Sequence, residues 1–220
     1  MVILYEDNHL IAVEKPHGQP TQGDDSGDLS LLDEVKEFIK ERDQKPGNVF
    51  VGLLHRLDRP VGGVVLFAKT SKAASRLSDQ IRRHTVEKVY LAKTEGVPNM
   101  PPERQIGDGV FSLRQWLLKD EKTNTVKSFD HETPGALEAE TSYKVLKPGL
   151  ESLVEIHPKT GRPHQIRVAM SSLGAPIVGD IKYGAKTKYS GNLALQAQSL
   201  SFDHPITKER ITVYAKTVLS

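Results

Sequence analysis

The sequence predicts an α+β fold built on a largely antiparallel mixed β-sheet flanked by helices and loops. Three observations lead there. Short runs with period-two alternation, or enriched in β-branched and aromatic residues, recur along the chain with the length and texture of strands. Only three stretches carry apolar residues at the 3 and 4 spacing of a helical face, and these are interposed among the strands without alternating with them one for one. The 13 prolines and 17 glycines are scattered as punctuation along the chain and do not gather in a tail. With 220 residues available, a single domain over 1–220 with a real hydrophobic core is the expected organisation.

The opening ILYEDNHLIAVEKP predicts two short strands broken at Asp7-Asn8, with Pro16 and Gly18 ending the second. A loop rich in Gly, Asp and Ser follows, from Gly18 to Asp28. Ser30 is placed to cap a helix running to about Arg42, whose apolar positions Leu31, Leu32, Val35, Phe38 and Ile39 share one face. Pro46-Gly47 closes it. In VFVGLLHRLDRPVGGVVLFAKT a compact loop, HRLDRPVGG, sits between two β-rich runs. Ser71 is expected to cap a second helix to about His84, with Ala74, Leu77 and Ile81 inward and Arg76, Arg82 and Arg83 toward solvent. KVYLAKT is the next strand. Residues 98–135 are polar and turn-rich apart from VFSLRQWLL, and hairpins or an insertion are expected there. AETSYKVLK alternates with period two and LVEIHP is a further strand. Pro163 suits the first turn of a third helix with the stripe Ile166, Met170 and Leu173, and Gly174 suits its left-handed exit. LSFDHPITKERITVYA closes the chain as a hairpin around Pro205–Glu209.

The absence of cysteine excludes disulfides, thiolate nucleophiles and cysteine-based zinc or iron-sulfur sites. No run approaches the roughly 20 apolar residues needed to cross a bilayer, and the start MVILYEDNHLIAVEK carries acids within its apolar stretch, unlike a signal peptide. No membrane association and a cytoplasmic location are the expectations. The net charge of +2 is too small to mark a nucleic-acid binder, but its distribution is uneven. Residues 69–93 and residues 159–188 each carry a net +5, so the remainder carries −8. A polyanion would be drawn to those two segments, although either can equally be a solvated charged face.

Asp58 lies in the loop HRLDRP between Arg56 and Arg59. Cationic neighbours favour the charged form of a carboxylate, and two flanking strands would aim it, which is what a nucleophile or general base requires. The same placement also suits an acid that merely pins the loop by ion pairs. In GRPHQIRVAM, Arg167 falls about one turn inside a helix that follows a Gly-Pro loop. Guanidinium and helix dipole together would welcome an anion, whether Asp58 or a phosphate.

HRLDRPVGGVVLFAKT resembles the catalytic motif of the RluA family of RNA pseudouridine synthases, in which HRLD is followed by two residues, a Ser/Thr-Gly segment and AKT. ILYEDNHLIAVEKP is similar to the family's opening strands, and KVYLA to its tyrosine motif. GRPHQIRV with LGAPIVGDIKYG is similar to its third motif, and LALQAQSLSFDHP to its closing segment. The matches keep the family's order and span nearly the whole chain. The resemblance implies a pseudouridine synthase-like fold and isomerisation of selected uridines in rRNA or tRNA. It makes Asp58 the catalytic aspartate, Tyr90 the aromatic residue packing on the target uracil, and Arg167 the ion-pair partner of Asp58. Arg56 matches the arginine that helps hold the RNA and the flipped base. Arg59, Arg76, Arg82, Arg83, Lys88, Arg162, His164 and Gln165 complete the expected RNA-contacting set. A base reached inside structured RNA must be extruded, which calls for a stacking surface and cationic cover. The isomerisation breaks the C1′–N1 bond and joins C5 to C1′, so no cofactor and no metal are expected, and the chain carries no GxxxxGKS/T loop.

The sequence departs from the family pattern in four places: Val61 and Gly62 stand where Thr-Ser is usual, Ala169 where His commonly follows the arginine, and Gln196 where His is frequent. The S4 domain of many relatives is not expected, because the catalytic-domain strands begin at about residue 2, and RNA selection would then rest on the catalytic domain itself. A monomer is expected. Three rival readings exist. His55, His157 and His164 with Asp58 would be a metal site, but their spacing fits no paired-ligand motif. A glycosidase would want a second carboxylate in a comparable loop. A catalytically silent RNA-binding module would use the same basic segments.

Overall fold

The computed structural model describes residues 1–44, 46–189, 193–217 and 219. They form an α+β structure in two compact units. The first holds residues 1–87 and 197–218, and the second holds residues 88–196. Among the described residues no helix is long and apolar enough to cross a membrane.

In the first unit, β1 (Val2–Glu6) and β2 (Leu10–Lys15) form an antiparallel hairpin. Asp7 makes its turn, as the break at Asp7-Asn8 predicts: its carboxylate accepts from the backbone N–H groups of His9 (2.6 Å) and Leu10 (2.7 Å). β2 is buried along its whole length and pairs with β4 (Gly62–Ala68), also wholly buried. Such strands carry no period-two signal because both faces are covered. β4 neighbours β11 (Leu195–Asp203), which pairs with β12 (Arg210–Tyr214) in the expected closing hairpin. Of the run VFVGLL, only Gly52–Leu53 pairs as a strand, β3, against the end of β4.

Helix α1 (Leu31–Arg42) starts at Ser30, whose hydroxyl accepts from the Asp33 N–H. Leu31, Val35 and Ile39 are buried, while Phe38 is half-buried beneath the Arg42 guanidinium, 5.0 Å from the ring centre. Helix α2 (Ser71–Arg82) starts one residue earlier than expected at the cap, since Thr70 and not Ser71 accepts from Ala73 N–H. Its buried face is correspondingly Ala73, Leu77 and Gln80, with Ala74 and Ile81 half-covered. Ala73 and Leu77 pack on Leu10, Ala12, Val64, Leu66, Leu200 and Phe202, the core of this unit.

In the second unit, β5 (Glu87–Glu95) and β9 (Leu137–Lys147) flank β10 (Glu151–Pro158), both antiparallel to it. Beyond β9 come β7 (Val110–Asp120) and then β6 (Gln105–Gly107), and β7 also pairs with β8 (Thr125–Phe129). Residues 98–135 are therefore hairpins. Their alternation was hidden by Gln115 on the buried face of β7 and by Trp116 and Leu118 on its other face. Helix α3 (Gln165–Ser172) starts two residues later than Pro163 suggests, with His164 in a left-handed conformation (φ 52°) at its N-cap. Gly174 exits it at φ 76°, as its sequence position predicts. Val168 packs with Leu117, Val126 and Ala139 on the sheet.

Leu77 is fully buried where α2 meets the sheet. Leu77→Ala is expected to cost about 2–5 kcal/mol of unfolding free energy, measured by denaturant titration.

Candidate active site

Asp58 lies in the first unit, half-buried in a loop and turn joining β3 to β4. Its own carbonyl accepts from Val61 N–H at 2.9 Å, closing the turn. The residues on both sides of it are tied to the segment that follows β2. Thr21 Oγ1 donates to Leu57 O (2.8 Å) and accepts from Leu57 N–H (3.2 Å), and Gly18 N–H donates to Arg59 O at 2.9 Å. His17 Nδ1 donates to Pro60 O at 2.8 Å. Arg59 returns the contact, donating through Nε to Gly18 O at 2.9 Å and pairing with Asp24 and Asp28.

Beneath this turn is Lys15, 1% exposed at the end of β2. Its Nζ donates to the carbonyls of Gln19 (2.6 Å), Arg59 (3.0 Å) and Pro16 (3.1 Å). Burial pulls its pKa down to about 8, attraction to Asp58 opposes that, and repulsion from Arg59 adds to it. Three carbonyl dipoles and one nearby carboxylate are thus what keeps a cation in a dry site. Sequence reasoning passed over Lys15; the signal was a lysine closing the strand LIAVEK just before Pro16.

The basic residues expected to meet RNA are placed unevenly. Arg56 is exposed on the same loop as Asp58. Arg82 and Arg83 are exposed on α2, where both pair with Asp79. Arg76 is half-buried and donates to Pro205 O at 2.6 Å, pinning α2 to the β11–β12 turn.

Tyr90, Lys88, Arg162, His164, Gln165 and Arg167 belong to the second unit. Tyr90 is half-buried on β5 opposite Ile156. Lys88 donates to Thr160 O at 3.3 Å, and burial lowers its pKa. Arg167 is buried in the first turn of α3 and makes a bidentate pair with Asp180, Nε to Oδ2 at 2.8 Å and Nη2 to Oδ1 at 2.7 Å. Its guanidinium also lies 4.9 Å from the ring centre of Tyr183. The Tyr183 hydroxyl accepts from Val126 N–H (2.9 Å) and meets His164 Nδ1 at 2.6 Å. Asp180 was missed too, although it is the only acid among residues 159–188.

Gln165 departs from its expected role as an RNA contact. Its amide is 5% exposed; Nε2 donates to Glu140 O (3.0 Å) and Thr141 Oγ1 (2.9 Å), and Oε1 accepts from Thr160 Oγ1 (2.8 Å) and Arg162 N–H (3.0 Å). All four amide valences are spent inside the protein, so Gln165 shapes the loop 160–164 that presents Arg162 and His164. Arg162 is exposed, with Nε on Glu138 O at 2.8 Å. Ala169 and Gln196, two of the departures from the family pattern, are each 1% exposed.

The histidines of the metal reading are engaged elsewhere. Leu66 N–H donates to His55 Nε2 at 3.1 Å, and His157 Nε2 meets Glu155 at 2.9 Å. Among the described residues no group of three or more His, Cys, Asp or Glu is arranged to hold a metal ion.

A family model described as RNA pseudouridylate synthase matches residues 9–172, from the first hairpin through α3. The chain belongs to that family. This pseudouridine synthase is 36% identical, over 97% of its own length and 90% of the relative's, to tRNA pseudouridine synthase C of Pasteurella multocida. It is 33% identical to ribosomal large subunit pseudouridine synthase C of Buchnera aphidicola subsp. Schizaphis graminum, covering 97% of this chain and 66% of that one. The chain thus spans about two thirds of the length of its ribosomal relative. Among solved structures, human RNA pseudouridylate synthase domain containing 4 aligns with a TM-score of 0.78 at 26% identity, over 99% of this chain and 88% of that one. The resemblance carried by HRLD, KVYLA and GRPHQIR is thereby shown at the level of the family, and the enzyme is an RNA pseudouridine synthase, an isomerase.

Two outcomes follow from this geometry. A lysine whose pKa drops from 10.5 to about 8 on folding opposes folding while charged. Between those values the unfolded chain holds a proton that the native state has lost, so native stability rises with pH. The stability of the wild type relative to Lys15→Met is therefore expected to rise by about 3 kcal/mol from about pH 7 to about pH 11, read by denaturant titration of both proteins. Asp180→Ala leaves the buried Arg167 charge without its bidentate partner and is expected to cost about 3–5 kcal/mol, read the same way.

Proposed function

We propose that this pseudouridine synthase isomerises uridines of ribosomal or transfer RNA, with Asp58 as the catalytic carboxylate and Tyr90 and Arg167 completing the catalytic set. The observation that carries the reading is the way Asp58 is held. Leu57, Arg59 and Pro60 are each hydrogen-bonded to the segment 15–21, and a buried ammonium lies within electrostatic reach of the carboxylate. An acid that only pinned a loop would not need its own loop pinned from behind by a buried cation. A rigid backbone around a half-buried carboxylate is what an aimed catalytic group requires.

The chemistry balances without an external reactant. The C1′–N1 bond breaks, the uracil turns, and C5 bonds to C1′; the proton lost from C5 is matched by the one gained at N1. Asp58 supplies the carboxylate in this scheme, and Tyr90 the face on which the uracil stacks. Arg56, Arg59, Arg76, Arg82, Arg83, Lys88, Arg162 and His164 supply cationic or hydrogen-bonding cover for the RNA. Relatives named for ribosomal and for transfer RNA support both substrate classes. A monomeric, cytoplasmic enzyme working through one domain over 1–220 without a cofactor is part of the same proposal.

Asp58→Asn removes the charge and keeps the shape. Tritium release from RNA labelled at uridine C5 is expected to fall by roughly 1,000-fold or more, while RNA binding by filter retention stays within about 3-fold of wild type. Undiminished release would end the assignment of Asp58, and wild-type cells showing no pseudouridine that a deletion strain lacks would end the assignment to rRNA or tRNA.

A further inference from the structure

Gly62, the first residue of β4, is a glycine for an unusual reason. The next residue, Gly63, sits at φ 114°, and a Cβ there would lie 2.2 Å from the Ala197 carbonyl oxygen, so its backbone and its surroundings both demand glycine. Gly62 is not among the residues with positive φ. A Cβ on Gly62 would instead meet one side chain: it would lie 2.6 Å from both Cδ2 and Nε2 of His17, and 3.3 Å from Cε1. The three nearest atoms all belong to the same imidazole. The volume that a side chain at position 62 would use is therefore filled by His17.

The ring is also oriented. Its Nδ1 lies 2.8 Å from Pro60 O, and since a carbonyl only accepts, Nδ1 carries the hydrogen. One face of the ring thus lies against Gly62 while its edge holds Pro60, two residues after Asp58. The span from Asp58 to β4 is short and ends in two consecutive glycines, which by themselves would make it a hinge.

We propose that His17 is a positioning residue for Asp58, a wedge whose ring replaces the missing side chain of Gly62 and whose Nδ1–H fixes the turn that carries the carboxylate. The inference rests on the reading of Asp58 as the catalytic carboxylate. It makes Gly62 and His17 a single device: a side chain at 62 expels the ring, and the loss of the ring frees the hinge. Lys15 and Gly18 hold Arg59 from the same segment, so the wedge governs the side of the turn nearest β4.

The test is a kinetic cycle of H17A, G62A and H17A/G62A, with H17N and D58N alongside, assayed by tritium release from 5-tritiated total cellular RNA. H17A and G62A are each expected to lower kcat on the order of 10- to 100-fold, with apparent KM within about 2-fold. The double variant is expected to be no worse than H17A alone, because the alanine at 62 then has no ring to expel. H17N is expected to keep most of the activity, since its side-chain N–H can reach Pro60 O from the same position as Nδ1. Losses that multiply in the double variant, a change confined to KM, or an H17N variant as poor as H17A would each overturn the wedge. A lowered melting temperature with unchanged kcat would reduce His17 to packing and overturn it as well. D58N separates the two claims. Turnover by D58N overturns the catalytic reading of Asp58, whereas inactive D58N with multiplicative losses at 17 and 62 overturns only the wedge.

Discussion

A buried ammonium holding three carbonyl oxygens is the interaction on which the turn carrying Asp58 depends. Lys15 Nζ gathers Pro16 O, Gln19 O and Arg59 O around one positive charge, and so joins the end of β2 to the residue after Asp58. Removing a charge from water costs several kcal/mol, and that cost is tolerated here because carbonyl dipoles and the Asp58 carboxylate converge on it. The turn can then be made of short-range parts, Thr21 on Leu57, Gly18 on Arg59 and His17 on Pro60, without being slack. A loop tied to a fully buried strand inherits that strand's rigidity, which is how a functional residue can lie outside regular structure and still be aimed.

The second unit solves a different problem by similar means. Helix α3 is short, begins at a residue with positive φ and has no side-chain cap, so its N-terminus is not held in the usual way. The neighbouring side chains do that work. Gln165 spends its amide on Thr160, Arg162, Glu140 and Thr141, fixing the approach. Asp180 locks Arg167 in a bidentate pair with Tyr183 against its face, and the Tyr183 hydroxyl ties His164 and Val126 to the same cluster. A buried charge pair is weak evidence for stability but strong evidence for a fixed orientation, because each oxygen and nitrogen has only one good geometry.

The departures from the family pattern take on physical meaning in this setting. Gly62 coexists with His17 because the imidazole occupies the side-chain volume. Ala169 lies in the buried face of α3, where a larger polar group would need its own partners. Gln196 is likewise enclosed, at the start of β11. Val61, the fourth departure, contributes only its backbone N–H to the turn, donating to the Asp58 carbonyl at 2.9 Å.

What the sequence determined by itself was whatever depends on near neighbours. The Asp7 turn, the Ser30 cap, the Leu31–Val35–Ile39 face, the left-handed Gly174 and the closing hairpin all follow from residues a few positions apart, and the ordered motifs marked the family. Local reading slipped by a residue or two where two cap candidates adjoin, at Thr70-Ser71, or where a proline precedes a cap of unusual backbone, at Pro163-His164. Only the tertiary structure decided that Lys15 serves Arg59, that Asp180 serves Arg167, that Gln165 faces inward and that His17 fills the space at Gly62. Lys15 and Arg59 are 44 positions apart and His17 and Pro60 are 43 apart. Periodicity and capping carry no term for pairs so distant, because which buried polar group meets which is set by how the strands pack.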